Sequence, residues 1–152
     1  MLGSRVYHPQ TGKSFGLRHT STCDSMYVIY MIKCPCGLAY IGQTSRKMKI
    51  RISEHKSNIR RNVVTSTLAQ HWKASGHSIP QLRFQILEVL SSDTHDLHNC
   101  LLRREIHWIY LLDTLQPKGL NDRLEMHCFL WLHLCLGGSK LFVMLFQYRI
   151  YI

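Results

Sequence analysis

Acidic residues are scarce in this chain: nine Asp and Glu stand against nineteen Lys and Arg, a formal charge of +10. Such an excess favours a polyanionic partner, nucleic acid or an acidic membrane surface; a basic soluble protein without one is the plain alternative. Long apolar runs are missing too. The opening MLGSRVYHPQTGKS has no apolar signal region, so export is not expected and an intracellular, reducing compartment is. Near the other end, residues 128–136 and 141–146 are apolar but interrupted by Gly137, Gly138, Ser139 and Lys140. Neither approaches the ~18–20 residues of a spanning helix, and a mid-membrane Lys costs roughly 2.5–3.5 kcal/mol. Membrane contact through 124–152 is therefore not expected, and that stretch reads as an extension outside the domain. The six cysteines are too few and too irregularly spaced for a small disulfide scaffold, which leaves free thiols or metal ligands.

With 152 residues, 45% hydrophobic and 18% charged, there is material for one soluble domain with one core. Residues 1–25 are polar, carry Pro9, Gly12, Gly16 and the Thr20-Ser21-Thr22 cluster, and read as a linker. Residues 27–32 and 38–42 are β-branched and aromatic around a Cys-Pro-Cys-Gly turn, the signature of an antiparallel hairpin.

A basic helix over about 47–61 follows, with Met48, Ile52, His55 and Ile59 on one stripe and Arg51 one turn before His55. Arg46, Lys47, Lys49, Lys56, Arg60 and Arg61 surround it, Glu54 being the sole acid among them. This face can follow a phosphate backbone or can simply be solvated. Thr65 or Ser66 can cap a short helix ended by Gly76, and a third strand falls within 82–90. A helix over about 93–112 then has Ser91, Ser92 or Asp93 as cap candidates. It buries Leu97, Leu101, Trp108 and Leu112, with Glu105 in mid-stripe. A carboxylate on an apolar face needs a partner, and no cation lies three or four positions away. A divalent metal or Arg51 would serve.

Two constellations carry chemistry. Tyr30, Tyr40, Arg51, His55, Glu105 and Asn121 can supply what phosphodiester hydrolysis needs: a base for water, a cation for the phosphate and a ligand for a metal. Cys34, Cys36, His71 and His77 offer two thiolates and two imidazoles, a donor set suited to tetrahedral structural zinc. Their spacing is unusual, C-x-C being tight and His71 to His77 wide, so core cysteines and surface histidines are the alternative.

The ordered residues Val28-Ile29-Tyr30, Tyr40-Ile41-Gly42, Arg51, His55, Glu105 in RREIHWI and Asn121 in PKGLN resemble the GIY-YIG nucleases over residues 27–121. Phrases such as KCPCGLAYIGQTSRKMKIRISEH and REIHWIYLLDTLQPKGLN are similar to the C-terminal endonuclease domain of Penelope-like retroelements, which carries two cysteines between the triplets and two downstream histidines.

The resemblance implies an α/β fold of α+β type: a small three-stranded antiparallel sheet flanked by helices, order ββααβα, over residues 26–123. It implies metal-dependent endonuclease action on DNA, nicking or cleaving, with the tyrosines at the attacking water, Arg51 on the phosphate and Glu105 holding Mg²⁺ or Mn²⁺. It also implies structural Zn²⁺ on Cys34, Cys36, His71 and His77, a retroelement origin, and nuclear location if genomic DNA is the target. No small-molecule substrate is expected, and the residues set no oligomeric state. A domesticated remnant that keeps the zinc-stapled fold and binds nucleic acid without cutting is the rival reading. Val28 stands where many members of the family have Gly.

Overall fold

In the computed structural model, which describes residues 5–17 and 19–122, the architecture grows from the central strand of one sheet. The strand labelled β3, Val28–Lys33, is buried along nearly its whole length. It pairs antiparallel with β4, Ala39–Thr44, on one side and with β5, Arg83–Val89, on the other. An apolar run of β-branched and aromatic residues without polar alternation suits a strand covered on both faces. The β3–β4 turn closes through Cys34 N–H to the Leu38 carbonyl at 2.8 Å and Gly37 N–H to the Cys34 carbonyl at 3.0 Å. Gly37 takes a φ of 94° there, which a side chain would oppose.

Helix α1, Met48–Arg61, buries Met48, Ile52, His55 and Ile59, the expected stripe. Helix α2, Thr67–Ala74, is capped by Ser66, whose side chain accepts from the Ala69 N–H, and buries Leu68, Ala69 and Trp72. These side chains pack with Val28, Tyr30, Ile32 and Cys34 in one cluster, so α1 and α2 cover the face of β3 carrying its even-numbered residues. A single 3₁₀ turn, Ile79–Gln81, leads into β5.

Helix α3, Leu97–Leu111, packs against β4 and β3. It takes the opposite face, because the Trp108 indole donates to Glu88 at 2.8 Å and Glu88 lies beside Ile29 in the sheet register. The order ββααβα is observed, and no helix among the described residues is long and apolar enough to cross a membrane.

Two sequence expectations differ from the structure. Residues 1–25 are not only a linker: β1, Arg5–Tyr7, and β2, Ser14–Gly16, form an antiparallel hairpin with Val6 fully buried, inside the same unit as the sheet. Three-residue strands with one core residue leave no periodic pattern to read. Helix α3 also starts at Leu97 rather than near residue 93. Ser91 turns the chain back through its hydroxyl and carbonyl, to Asp93 N–H at 3.3 Å and Thr94 N–H at 3.2 Å. Asp96, at φ 55°, then occupies the helix entry without a side-chain cap. Serine bonded to its own neighbours favours a turn over a helical start. The 124–152 extension lies outside the described residues.

Candidate active site and metal centre

Because β3 pairs Tyr30 with Gly42 of β4, the Tyr30 ring crosses a strand that offers no side chain. A Cβ at Gly42 would lie 2.6 Å from the Tyr30 hydroxyl, a separation no real contact tolerates, so the third residue of the second triplet must be glycine for Tyr30 to take this position. Val28 is fully buried two residues earlier, between Thr44 and Val89. The larger residue there leaves Tyr30 in register.

The Tyr30 hydroxyl is bound from two sides. His55 Nε2 lies 2.7 Å away and the Arg51 Nε–H donates to it at 2.9 Å. With the guanidinium donating, the phenol keeps its own proton to give to His55 Nε2 in the tautomer that carries the imidazole proton on Nδ1; in the other tautomer Nε2–H donates to the phenol oxygen. That Nδ1 is buried with no hydrogen-bond partner. Burial, then the nearby Arg51 charge, lowers the His55 pKa to about 4, so the imidazole is neutral at physiological pH.

Burial pushes Tyr30 up to about 12; Arg51 pulls it back, while Glu105 and Glu54 push it further. Tyr40, half-buried, meets His55 edge-on with centroids 5.7 Å apart. Burial opposes the Arg51 charge, but Tyr30, Tyr40 and Glu54 outweigh it and raise its pKa. Glu54 Oε2 receives Arg51 at 3.3 Å, and Arg46 reaches the same carboxylate at 2.6 Å. Arg51 is thus a fixed cation, with its side chain 30% exposed.

Glu105 is half-buried midway along α3 rather than sunk in the apolar stripe. It is close enough to Tyr30 for its charge to act on that hydroxyl. Asn121 has a different occupation. Its amide accepts from the Ile41 N–H at 2.9 Å and donates to the Ile41 carbonyl at 2.7 Å, while the Thr114 hydroxyl donates to its Oδ1 at 2.9 Å. It behaves as a strand partner for β4, satisfying the edge between Tyr40 and Gly42, and touches no group of the Tyr30 cluster in these bonds. Thr114 carried no sequence signal; only folding brings it to Asn121.

The basic face is partly paired. Lys47 and Lys49 share Asp24, at 3.3 and 2.7 Å, and Arg61 donates to Asn58. Arg60 is exposed and Lys56 half-buried. Exposed pairs of this kind are weak and give way to phosphate. Glu54, joining Arg46 to Arg51, is the functional neighbour that the basic pattern concealed; its i, i+3 spacing to Arg51 was the available clue.

One residue past the end of β3, where the turn begins, Cys34 opens the second cluster. Its Sγ lies 3.0 Å from His71 Nε2 and 2.9 Å from Cys36 Sγ, and Cys36 Sγ is 3.3 Å from His71 Nε2. The His77 ring is tilted against His71 with centroids 5.6 Å apart, and its Nε2 is buried without a partner. One ligand atom from each of the four lies within 4.8 Å of all the others. Ligands of a tetrahedral zinc stand about 3.3–3.8 Å apart, so changes of about 1 Å in these separations would bring the four donors to the spacing of one ion. Burial, then the Cys36 hydrogen bond, pushes the Cys34 thiol up to about 12, and burial, then His77, lowers His71. Both shifts favour the uncharged forms of Cys34 and His71, and the four side chains together make a candidate metal-ligand set. Ser75 Oγ lies 3.5 Å from His71 Nδ1, while Nε2 of the same ring faces the sulfurs.

Fold and site together define a mixed α/β catalytic domain, three helices on a three-stranded antiparallel sheet. A family model described as the GIY-YIG catalytic domain matches residues 26–121, and the chain belongs to the GIY-YIG family. Among solved structures, the catalytic domain of homing endonuclease I-TevI is similar at 22% identity and a TM-score of 0.49, over 62% of this chain and 95% of that one. No curated protein matches.

Proposed function

We propose that this chain is a metal-dependent endonuclease hydrolysing DNA phosphodiester bonds. The observation that carries the reading is the Tyr30 hydroxyl held between a neutral histidine and a fixed arginine. A phenol at a pKa of about 12 is a poor base alone. Passing its own proton to His55 Nε2 as it takes one from water avoids a free phenolate, because the Tyr30 oxygen stays neutral throughout. The imidazolium left beside Arg51 is opposed in the free protein, and the bound phosphate brings the negative charge that permits it. Arg51, with Tyr40 beside it, holds that phosphate; Arg46, Lys47, Lys49, Lys56, Arg60 and Arg61 supply non-specific affinity. Asn121 is a positioning residue in this reading, because its amide is committed to β4.

Mg²⁺ or Mn²⁺ commonly takes one or two carboxylates and completes its shell with water and substrate phosphates. Glu105, a half-buried carboxylate acting on Tyr30, fits that demand and would hold the ion. When bound, the metal neutralises charge on the phosphorane and the departing 3′ oxygen. Cys34, Cys36, His71 and His77 would hold a structural Zn²⁺; the orphaned His77 Nε2 supports this, since a buried unpaired nitrogen is costly otherwise. The converging Cys/His set also supports descent from a Penelope-like retroelement nuclease, for which genomic DNA makes the nucleus the working compartment.

The test is supercoiled plasmid incubated with the purified chain, with and without Mg²⁺ or Mn²⁺. Nicked or linear product that needs the metal is expected. Retention of DNA without any cleavage would turn the reading into that of an inactive binding remnant.

A further inference from the structure

The β1–β2 hairpin precedes the family match, which begins at residue 26, yet it is bonded to the domain at both ends. At its base the Gln85 side chain of β5 donates to the Arg5 carbonyl at 2.9 Å. At its tip Gln10 Nε2 donates to the Lys118 carbonyl at 2.8 Å and lies 3.5 Å from that of Asp113. The tip itself is fixed: His8 Nδ1 accepts from the N–H groups of Gln10 and Thr11, and the His8 N–H closes onto the Lys13 carbonyl at 2.8 Å. Val6 is fully buried between these ends, so the hairpin is anchored by packing as well as by hydrogen bonds.

What the tip grips matters. Residues 113–119 form the turn that delivers Asn121 to Ile41, with Lys118 bridged to Asp113 at 2.6 Å and Gly119 pressed against Thr114. Asn121 N–H and Gln116 N–H then close the Thr114–Asn121 segment at 2.9 Å each. The Gln10 amide spans the two ends of this turn by touching both the Asp113 and the Lys118 carbonyls. A loosened turn would loosen Asn121, and with it the stretch of β4 that carries Tyr40 and Gly42 on either side of Ile41.

We propose that the hairpin is a working strap of the nuclease unit, and that Gln10 is a positioning residue that keeps the Asn121 clasp closed on β4. The catalytic part of this claim rests on the nuclease reading; the mechanical part does not. Gln10 is exposed, so replacing it leaves the core intact and its effect is local opening rather than global unfolding.

The full chain is compared with Gln10→Leu, which removes the donor, and Gln10→Lys, which returns a donor of similar reach. Amide exchange of Ile41, whose N–H is bonded to Asn121, is followed by NMR, alongside kcat and KM on plasmid DNA and the melting temperature. In Gln10→Leu the Ile41 amide should exchange ~5–10-fold faster, as expected for losing one net hydrogen bond. The kcat should fall several-fold at unchanged KM and Tm, and Gln10→Lys should restore both. An Ile41 exchange rate unmoved in Gln10→Leu, or a Tm that falls in step with the rate, overturns the strap. If the wild-type chain cuts nothing, the nuclease reading has failed, and the exchange comparison still decides the strap.

Discussion

Tyr30 lies in β3 and Cys34 one residue past its end, both in one core cluster, yet the groups gathered around them obey different accounting. At Tyr30, the hydroxyl, imidazole and guanidinium satisfy one another, and the arginine charge is balanced by Glu54. That end holds its geometry by itself, and only the buried His55 Nδ1 is left over. At Cys34, two sulfurs and two imidazoles converge with one ligand atom from each within 4.8 Å of the others, and His77 Nε2 is buried without a hydrogen-bond partner. On the proposed reading, a zinc ion completes that end. On the proposed reading, the first cluster is pre-formed by hydrogen bonds and its substrate arrives later, whereas the second is finished by its ion, whose binding energy would become folding energy.

Four measurements can break or sharpen that contrast. The largest effect is expected at the Cys34 end. Stripping zinc with a chelator, or replacing His77 by Ala, should lower the melting temperature steeply, since such sites bind with apparent energies of ~10 kcal/mol or more in peptides. Elemental analysis should find about one zinc per chain beforehand. A chain purified without zinc and melting no lower than the metal-loaded one would erase the distinction between the two ends.

Next comes Glu105→Gln, where a loss of about 10³-fold or more in cleavage, ~4 kcal/mol, is expected with the fold and the zinc content unchanged. Should cleavage survive, Glu105 is not the metal carboxylate and the Tyr30 end must find another.

The third measurement is stability against pH. His55 titrates near 6.5 when unfolded and at about 4 when folded. A depressed folded pKa contributes stability that is fully present above pH 6.5 and is lost as pH falls through about 4, because the unfolded chain binds a proton the folded one refuses. Wild type should therefore lose up to roughly 3 kcal/mol across that window, and His55→Gln should lose correspondingly less. Parallel curves for the two proteins would mean that His55 is not held neutral.

The smallest effect is expected from Gly42→Ala. Its methyl would press on the Tyr30 hydroxyl, at a cost of ~1–3 kcal/mol in stability, with cleavage reduced because Tyr30 is displaced from His55. Thermal denaturation with wild-type stability and full cleavage would show that Tyr30 has room to move.

Much of this was legible beforehand because it follows from short-range periodicity. The α1 stripe of Met48, Ile52, His55 and Ile59 repeats with the helical turn, and the β3–β4 hairpin announces itself through β-branched runs around Cys-Pro-Cys-Gly. The hairpin over residues 5–16 was not legible. It depends on one buried valine and on side chains such as Gln85 and Gln10 that bond across long sequence separations. The start of α3 is hidden for a related reason: Ser91 spends its hydroxyl on a local turn, and nothing in the residue type says which use it will choose.

By itself the sequence determined the residue types able to do the chemistry, the strands and helices on which they ride, and the positive charge around them, since local propensity and charge depend only on neighbours along the chain. Tertiary structure alone decided how those groups are used. It bonded the Asn121 amide to the Ile41 backbone of β4, set Glu54 between two arginines, and left His77 Nε2 and His55 Nδ1 buried and unpaired. Burial and hydrogen-bond partnership are properties of distances between segments far apart in the chain, and those distances exist only once the sheet has closed.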